Sequence, residues 1–444
     1  MPENTSITIK DGTSAILGGA FEYCDGLTSV VIPNSVTRIG DCAFRHCRSL
    51  TSLEIPSSVT SLGDEAFTNC YGLTSVTIGN GVASIGNYAF YACHALTSIE
   101  IPNSVTGIGD GAFYSCDALT NVTIGTGVKS IGFEAFNFCS ALKEVHISDL
   151  SAWCKIDFVD NYANPLYYAG NLYLNGNLLT ELVIPNDITE IYSYTFSNCS
   201  ALTSVTIGNN VTRIGSSAFE GCDKISKIEI ESAENISIYS NSFNDNVYNN
   251  ATLYVPKGRK EYYENNYYWS KIKNIEEVAY KVTYIIDGKQ YNSIELGAGS
   301  PVPTEGPIKE GYTFNGWENL PEIMPTYDIT VYGSYTINKY TITYRVDGEF
   351  YKSETYEYGA KIPEADMLYK KGYIFSGWYG LPSTMLARNI IVTSSFTLDT
   401  TAVDSVEGES RDRIIYDLNG NRINGTETLE RGVYIVDGVK VLVR

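Results

Sequence analysis

The chain has 444 residues, a formal net charge of −20 and a hydrophobic fraction of 43%. This length predicts two or more domains, and the hydrophobic fraction excludes a disordered chain. Nucleic-acid binding needs clustered lysine and arginine, and a membrane-spanning helix needs roughly 18 consecutive apolar residues. Neither pattern is present, so we expect no nucleic-acid partner and no direct membrane span.

The first residues, Met-Pro-Glu-Asn, contain no charged segment followed by an apolar one, so the chain carries no recognisable signal peptide. The sequence then enters a repeat without a polar cap. We therefore expect that the reading frame is trimmed or incomplete at this end.

A repeat of 23 residues runs through the first part of the chain. An Ala-Phe pair, a cysteine and a leucine each keep this interval, and the cysteines are Cys24, Cys47, Cys70, Cys93, Cys116, Cys139 and, after a gap, Cys199 and Cys222. Many columns in one register indicate a solenoid, in which each coil buries its apolar side against its neighbours.

Each coil is predicted to contain a strand. In the segment LTSVTI the apolar residues Leu73, Val76 and Ile78 alternate with polar ones and should point inward. Proline or glycine then ends the strand, and a second inward set follows, as at Leu62 and Phe67. We place strand centres near residues 8, 31, 54, 77, 100, 123, 146, 183, 206, 229 and 254.

Two irregular segments interrupt the period, an insert at about 148–180 and a C-terminal cap at about 251–279. The cysteines of the repeat column should point in parallel, which suits disulfide geometry poorly. We therefore predict a ladder of buried free thiols, with Cys42 and Cys154 outside it.

The unit CxxLTSVxIPxSVTxIGxxAFxxC resembles the BspA-like leucine-rich repeat of bacterial surface proteins. The insert and the segment ATLYVPKGRKEYYENNYYWSKIKNIEEV also resemble parts of that family. The resemblance covers about residues 5–279 and implies a right-handed, curved solenoid on the cell surface. It also implies adhesion to host proteins or to other microbes.

A second repeat, with a period of 60 to 61 residues, follows at 280–338 and 339–398. Alternating runs and Asp-Gly turns predict strands and hairpins, with Trp317 and Trp378 at the centre of each core. The motif GYxFxGW…LP resembles the Listeria–Bacteroides repeat, which implies a β-grasp-like module of the internalin B-repeat type. The Met-Pro signature, Met324-Pro325 in the first copy, is absent from the second, which has Ala387-Arg388 in the corresponding stretch, so we expect its loop to differ.

The polar residues 399–412 are predicted to be a linker. Residues 413–444 should form short strands around tight turns, and they resemble the C-terminal sorting domain of the type IX secretion system of Bacteroidetes. The expected fold is thus mainly β: a leucine-rich-repeat solenoid at 1–279, two small β-grasp-like modules and a short β tail.

The sequence contains none of the common catalytic motifs, such as HExxH, GxSxG or GxxxxGK[ST]. His46 and His94 flank ladder cysteines, but zinc needs about four converging ligands, and these neighbours should point in opposite directions. We therefore expect no enzyme activity, no cofactor, no catalytic residue and no metal site.

The outward strand positions are the expected binding surface, because equivalent side chains of a solenoid form a regular face. The candidate partner-binding residues are Ser52, Glu54, Ser75, Thr77, Ser98, Glu100, Asn121, Thr123, His146 and, in the insert, Trp153. The alternative is that this hydroxyl-rich face reflects only strand propensity and solubility. Aromatic residues of the insert and the cap form a second candidate, although they would equally cover the ends of the solenoid.

The leading hypothesis is a non-catalytic surface adhesin that binds a host extracellular protein or glycan, or another microbial surface. One alternative is a structural spacer or scaffold. A second is an accessory fragment of a larger glycan-degrading enzyme.

Overall fold

The computed structural model describes residues 2–400, 415–423, 432–436 and 439–443. The chain divides into two compact units, of which the first comprises Met1–Ile285, Gln290–Pro303 and Asn319–Val331, and the second the remainder. Among the described residues, no helix has the length and apolar character needed to cross a membrane.

The longer strand of each coil lies where the alternating pattern predicts it. Neighbouring strands are parallel and pair with a 23-residue offset, as in Ser52 with Ser75 and Glu54 with Thr77. These strands are Thr5–Thr8, Leu27–Val31, Ser52–Ile55, Ser75–Ile78, Ser98–Ile101, Asn121–Ile124, Glu144–Ile147, Leu172–Leu174, Glu181–Val183, Ser204–Ile207, Lys227–Ile230, Thr252–Pro256 and Asn274–Val278. We call the outward surface of these strands the strand face.

A second, shorter strand follows in most coils and was missed by the sequence analysis, which recognised only an inward apolar set there. These strands pair in parallel at the same offset, as in Ser61 with Ser84. They are Ala15–Ile16, Arg38–Ile39, Ser61–Leu62, Ser84–Ile85, Gly107–Ile108, Ser130–Ile131, Asp157–Phe158, Glu190–Ile191, Arg213–Ile214 and Ser237–Ile238.

The rest of each coil forms a third hydrogen-bonded layer, which we call the turn face. In one coil the backbone N–H groups of Cys42, Phe44 and His46 donate to carbonyls of the next coil, each over 2.8 Å. Cys42 and His46 have φ of 56° and 60°, and the same two columns are left-handed in most coils. In this segment the N–H groups of every second residue bond to the next coil, which satisfies the turn backbone without a strand.

Stacked phenylalanines fill the core behind the turn face. Phe44, Phe67, Phe90 and Phe113 are fully buried, and their ring centroids lie 5.2–5.4 Å apart with nearly parallel planes. The predicted inward residues Leu73, Val76 and Ile78 are all buried. One apolar core runs through the solenoid from coil to coil.

The cysteine column is a ladder of free thiols, as predicted. All its members from Cys47 onward are buried, whereas Cys24 in the first coil is partly exposed. Six of the buried thiols donate to a backbone carbonyl of the preceding coil, for example Cys93 Sγ to Phe67 O over 3.4 Å; the six are Cys47, Cys70, Cys93, Cys116, Cys139 and Cys222. Burial raises the pKa of Cys93 to about 12, so these thiols are unreactive core groups.

The insert is a lengthened coil. Its helices Leu150–Cys154 and Leu166–Ala169 lie between strands that continue both sheets, and the short strand Asn177–Leu178 closes one sheet as a hairpin. A new pair of sheets starts at Glu181–Val183. The sheets therefore break here, while the apolar core continues.

The C-terminal coil is closed by aromatic residues. Helices Asp245–Asn250 and Lys260–Asn265 and the 3-10 turn Trp269–Lys271 surround it. Tyr263 and Trp269 are fully buried, and the Trp269 indole donates to Ile236 O over 2.7 Å. Covering the last coil removes its apolar side from water.

The segment after the solenoid is rich in strands. These are Tyr280–Ile286, Lys289–Leu296, Tyr312–Glu318, Ile329–Ile337, Lys339–Val346, Glu349–Glu357, Tyr373–Phe375, Ile390–Ser394 and Phe396–Leu398. Lys339–Val346 pairs antiparallel with Glu349–Glu357 and parallel with Ile390–Ser394, which gives a mixed sheet.

One prediction about these modules was wrong, and another was only partly right. Trp317 and Trp378 are only half-buried; Trp378 packs at the border of a small core, and its indole donates to Asp366 O over 3.0 Å. The Met-Pro pair is absent from the second copy, as predicted, but Met324 itself has a counterpart in Met385, which is equally buried, and both methionines exchange backbone hydrogen bonds with an upstream turn. The counterpart was missed because the second copy keeps the methionine and lacks only the proline.

The described part of the tail forms an antiparallel sheet of Arg422–Ile423, Ile415–Tyr416, Gly432–Val436 and Val439–Val443, in that order. The predicted linker at 399–412 lies outside the described residues apart from its first two.

Candidate binding surface

Six candidate residues lie side by side on the strand face of the N-terminal coils. They form two exposed columns, Ser52, Ser75 and Ser98 in one, and Glu54, Thr77 and Glu100 in the other. None of these side chains forms a hydrogen bond or ion pair with another described residue. Their polar groups are therefore available to a partner.

The neighbouring threonine column is different, because its hydroxyls are already used. Thr74 Oγ1 donates to Thr51 O over 2.9 Å, and Thr120 Oγ1 donates to Thr97 O over 3.0 Å. These hydrogen bonds join successive coils. The hydroxyls of the face thus fall into two groups: the threonine column holds the coils together, whereas the hydroxyls of Ser52, Ser75, Ser98 and Thr77 form no such bond with the described residues.

The remaining strand candidates lie at the C-terminal end of the same sheet and are less exposed. Asn121 Nδ2 donates to the Thr120 hydroxyl over 3.3 Å, and Thr123 pairs with His146 in the ladder. His146 Nε2 lies 3.0 Å from Glu144 Oε2, and its ring stacks on Tyr173 with centroids 4.9 Å apart. These contacts fix the side chains at this border of the face.

The strand face is covered near the end of the solenoid. The Tyr280 hydroxyl donates to Glu229 Oε1 over 3.1 Å, and burial raises the pKa of Tyr280 to about 12. Gly299 lies so close to Asn209 and to the Glu231 backbone that a β-carbon there would be 2.9 Å from both. The open part of the face is therefore the part that carries the candidates.

A shallow groove runs along the strand ends of the first coils. Its lining includes Val31, Pro33, Glu54, Pro56 and Thr77. Val31 is 56% exposed and Pro33 is half-buried. The groove therefore joins an apolar wall to a free carboxylate and a free hydroxyl.

Trp153 does not belong to this surface. It is 1% exposed, and its indole donates to Thr195 O over 3.1 Å inside the core. Phe158 is also buried, whereas Tyr267 in the cap is 80% exposed. The prediction that Trp153 is a binding residue was therefore wrong. The sequence shows that aromatic residues are present in the insert, but their burial depends on how the lengthened coil folds back.

The histidines beside the cysteine ladder make separate contacts. His94 Nδ1 lies 2.9 Å from Asp117 Oδ2. His46 stacks on Tyr23 with centroids 4.6 Å apart, and burial together with Arg45 and Arg48 lowers the pKa of His46. In the described part of the chain, no three His, Cys, Asp or Glu residues are placed to hold a metal ion.

Comparisons with known proteins identify the chain as a leucine-rich-repeat protein. Residues 3–82, 60–153 and 170–296 match the BspA type leucine rich repeat region in six copies. Residues 280–333 and 340–398 match the Listeria-Bacteroides repeat domain. Since the first match extends over more than half of the chain, the protein belongs to the BspA-type leucine-rich-repeat family. Both descriptions are of repeats, and neither is of a catalytic domain.

Similar proteins include internalin H of Listeria monocytogenes serovar 1/2a, with 38% identity over 141 residues, 27% of this chain and 25% of internalin H. The chain spans between 10% and 27% of the length of the curated relatives it matches. A solved leucine-rich-repeat protein of Bacteroides ovatus has 22% identity and a TM-score of 0.34 over 62% of this chain and 84% of that one. The T. pallidum leucine-rich-repeat protein has 25% identity and a TM-score of 0.29 over 50% and 82%.

Proposed function

We propose that the protein is a non-catalytic cell-surface adhesin that binds a protein or glycan through the open strand face. The observation that carries this proposal is a set of six adjacent, exposed polar side chains that have no hydrogen bond or ion pair with the described residues, at Ser52, Ser75 and Ser98 and at Glu54, Thr77 and Glu100. The neighbouring threonine column shows that this fold can use such hydroxyls to join coils. Leaving these six side chains free therefore favours a binding role over a purely structural one.

The charge of the strand face indicates which class of partner it would bind. Glu54, Glu100 and Glu144 are the charged outward residues of the strands from Ser52–Ile55 to Glu144–Ile147, and those strands contain no lysine or arginine. A negatively charged face accelerates encounter with positively charged partners and disfavours anionic ones. Host extracellular proteins with basic surfaces therefore fit better than sulfated glycans.

The test is binding of the full chain to immobilised matrix proteins, mucins and uncharged glycans. The variant Thr77→Arg/Glu100→Arg reverses the charge and adds bulk at the centre of the open face. The matched control, Ser84→Arg/Ser130→Arg, places the same residues on the short-strand sheet of nearby coils. Because Arg38 already occupies the equivalent position there, the control should fold normally.

Saturable binding that the strand-face variant abolishes and the control retains is the expected outcome. Equal binding by both variants would move the site away from the strand face. Failure of the whole panel to bind would favour the second candidate, a spacer or scaffold, which the serial arrangement of repeat modules supports.

We also propose a β-grasp-like fold for the two modules and a sorting role for the tail. The mixed sheet around Lys339–Val346 supports the first. The antiparallel sheet that includes Gly432–Val436 and Val439–Val443 agrees with the second. Removal of residues 413–444 in the native organism, followed by surface labelling of cells, tests the sorting role, since surface display unaffected by the deletion would contradict it.

A further inference from the structure

A second exposed surface lies on the turn face, away from the strand face. Tyr88, Phe133 and Phe138 are 42%, 50% and 51% exposed, and Tyr91 and Tyr114 of the same three coils are half-buried. We call these five residues the turn-face aromatic patch. Ring centroids link Tyr88 to Tyr91 at 5.8 Å, Tyr91 to Tyr114 at 5.3 Å and Tyr114 to Phe138 at 5.2 Å.

The repeat itself shows that these rings are not needed for folding. Other coils carry polar residues in the same columns: Thr68 at the position of Tyr114, Asp110 at that of Phe133 and Asn69 at that of Phe138. Those coils have the same backbone and the same inter-coil hydrogen bonds. Aromatic residues concentrated in three adjacent coils therefore have a purpose other than holding a coil together, and exposed aromatic clusters are typical of interaction sites.

The neighbouring residues hold the rings in place. Tyr88 lies against Gly111, where its ring occupies the space that a β-carbon would take. At the other end, the Tyr168 hydroxyl accepts from Phe138 N over 3.0 Å and donates to Asn137 Oδ1 over 2.9 Å. A surface whose rings are already fixed loses little side-chain entropy on binding.

The charge around the patch is negative. The turn-face segments 87–92, 110–115 and 133–138, which carry the patch, contain Asp110 and Glu134 and no lysine or arginine. The preceding segment 64–69 adds Asp64 and Glu65, of which Glu65 is paired with Arg45 over 3.2 Å. Glu134 is close enough to Tyr114 to add to the rise in that hydroxyl's pKa, which burial causes in the main. Aromatic rings beside carboxylates attract guanidinium and ammonium groups through cation–π contacts and charge.

We propose that the turn-face aromatic patch is a second docking site, which binds a protein segment bearing arginine or lysine beside apolar side chains. The site is separate from the strand face, so one solenoid can hold two partners or two parts of one partner. The proposed partner segment must present both features together, an apolar surface and a positive charge.

The test uses the full chain and a short fluorescein-labelled peptide in which arginines alternate with leucines, compared with the same peptide containing citrulline. The variant Tyr114→Thr/Phe133→Asp/Phe138→Asn restores residues that neighbouring coils already carry. Tyr71→Asp is the matched control, because it removes an exposed aromatic ring and adds a carboxylate outside the patch, at a position where another coil has Asp117. Circular dichroism and the unfolding midpoint check that both variants fold.

The patch variant should bind the arginine peptide about tenfold more weakly, as loss of cation–π and apolar contacts implies, even though it gains negative charge. Tyr71→Asp should bind as the unmodified chain does, and the citrulline peptide should bind weakly to all three. Unchanged or tighter binding by the patch variant would show that charge alone attracts the peptide and would overturn the proposal. Patch-dependent dimerisation, or patch-dependent binding of a neutral oligosaccharide in place of the peptide, would also overturn it.

Discussion

The phenylalanine stack predicts that the same truncation has different costs in different coils. Phe90 is fully buried, and its ring centroid lies 5.2 Å from that of Phe67 and 5.4 Å from that of Phe113. Phe21, in the first coil, is only partly buried and stacks on a single neighbour, Phe44, at 5.0 Å. The position of a phenylalanine in the stack therefore determines how much its ring contributes to the free energy of unfolding.

Replacing Phe90 by alanine removes a buried ring and leaves a cavity, which costs about 3–5 kcal/mol. The two stacked contacts account for roughly 0.5–1.5 kcal/mol each within that total. Phe21→Ala loses one such contact and less buried area, so we expect about 1–2 kcal/mol. The difference between the two variants should then be about 2 kcal/mol or more.

Urea unfolding followed by far-UV circular dichroism measures both costs. Repeat arrays can unfold in more than one step. The same unfolding transition is therefore compared in each variant, and the free energy of that transition must depend on urea concentration in a similar way in both. Phe90→Leu retains most of the volume and should cost less than Phe90→Ala. Equal destabilisation by Phe90→Ala and Phe21→Ala would refute the reasoning, because it would mean that stacking and burial do not decide the effect.

Three further predictions concern the thiols, a histidine and the cap. With Ellman's reagent at pH 8, only Cys24 and Cys42 of the ten thiols should react before denaturant is added, since the other eight are buried; a third fast thiol would contradict the ladder. His46 should titrate below its ordinary value of 6.5 by NMR. The unfolded chain then binds a proton at His46 more tightly than the folded chain does. The contribution of neutral His46 to the free energy of unfolding is therefore present above pH 6.5 and is lost as the pH falls below this value. An NMR titration midpoint of His46 at or above 6.5 would be inconsistent with burial of its ring. Trp269→Ala should destabilise the protein by about 3–5 kcal/mol in urea unfolding, whereas Tyr267→Ala, at an 80% exposed residue, should have almost no effect; similar costs would contradict the capping role of Trp269.

Much of the solenoid could be predicted from its period. A column such as Leu73 or Cys93 repeats because each coil meets the same neighbours, so one coil's pattern defines the inward side of all. The short strands were missed because two paired residues, such as Ser84–Ile85, are too few to show alternation. The left-handed turn residues were also missed, since most members of their columns, such as Cys42, Glu65 and Tyr88, are not glycine.

The candidate surface was only partly predictable. Alternation along a strand identifies which residues face outward, and Ser75 and Thr77 are indeed exposed. It does not show that the hydroxyl of Thr74 is used by the next coil, which depends on distances between coils. Nor does it show that Trp153 is buried or that Tyr280 and Gly299 cover the far end of the face, because these contacts join residues distant in sequence.

The most direct test of the central claim is carboxyl footprinting of the full chain with and without a partner identified in the binding panel. Carbodiimide labelling, read by mass spectrometry, reports the accessibility of Glu54 and Glu100 on the open strand face and of Glu65 on the turn face. The account predicts that the partner protects Glu54 and Glu100 and leaves Glu65 unchanged. Equal labelling of Glu54 and Glu100 in the free and bound protein would contradict it.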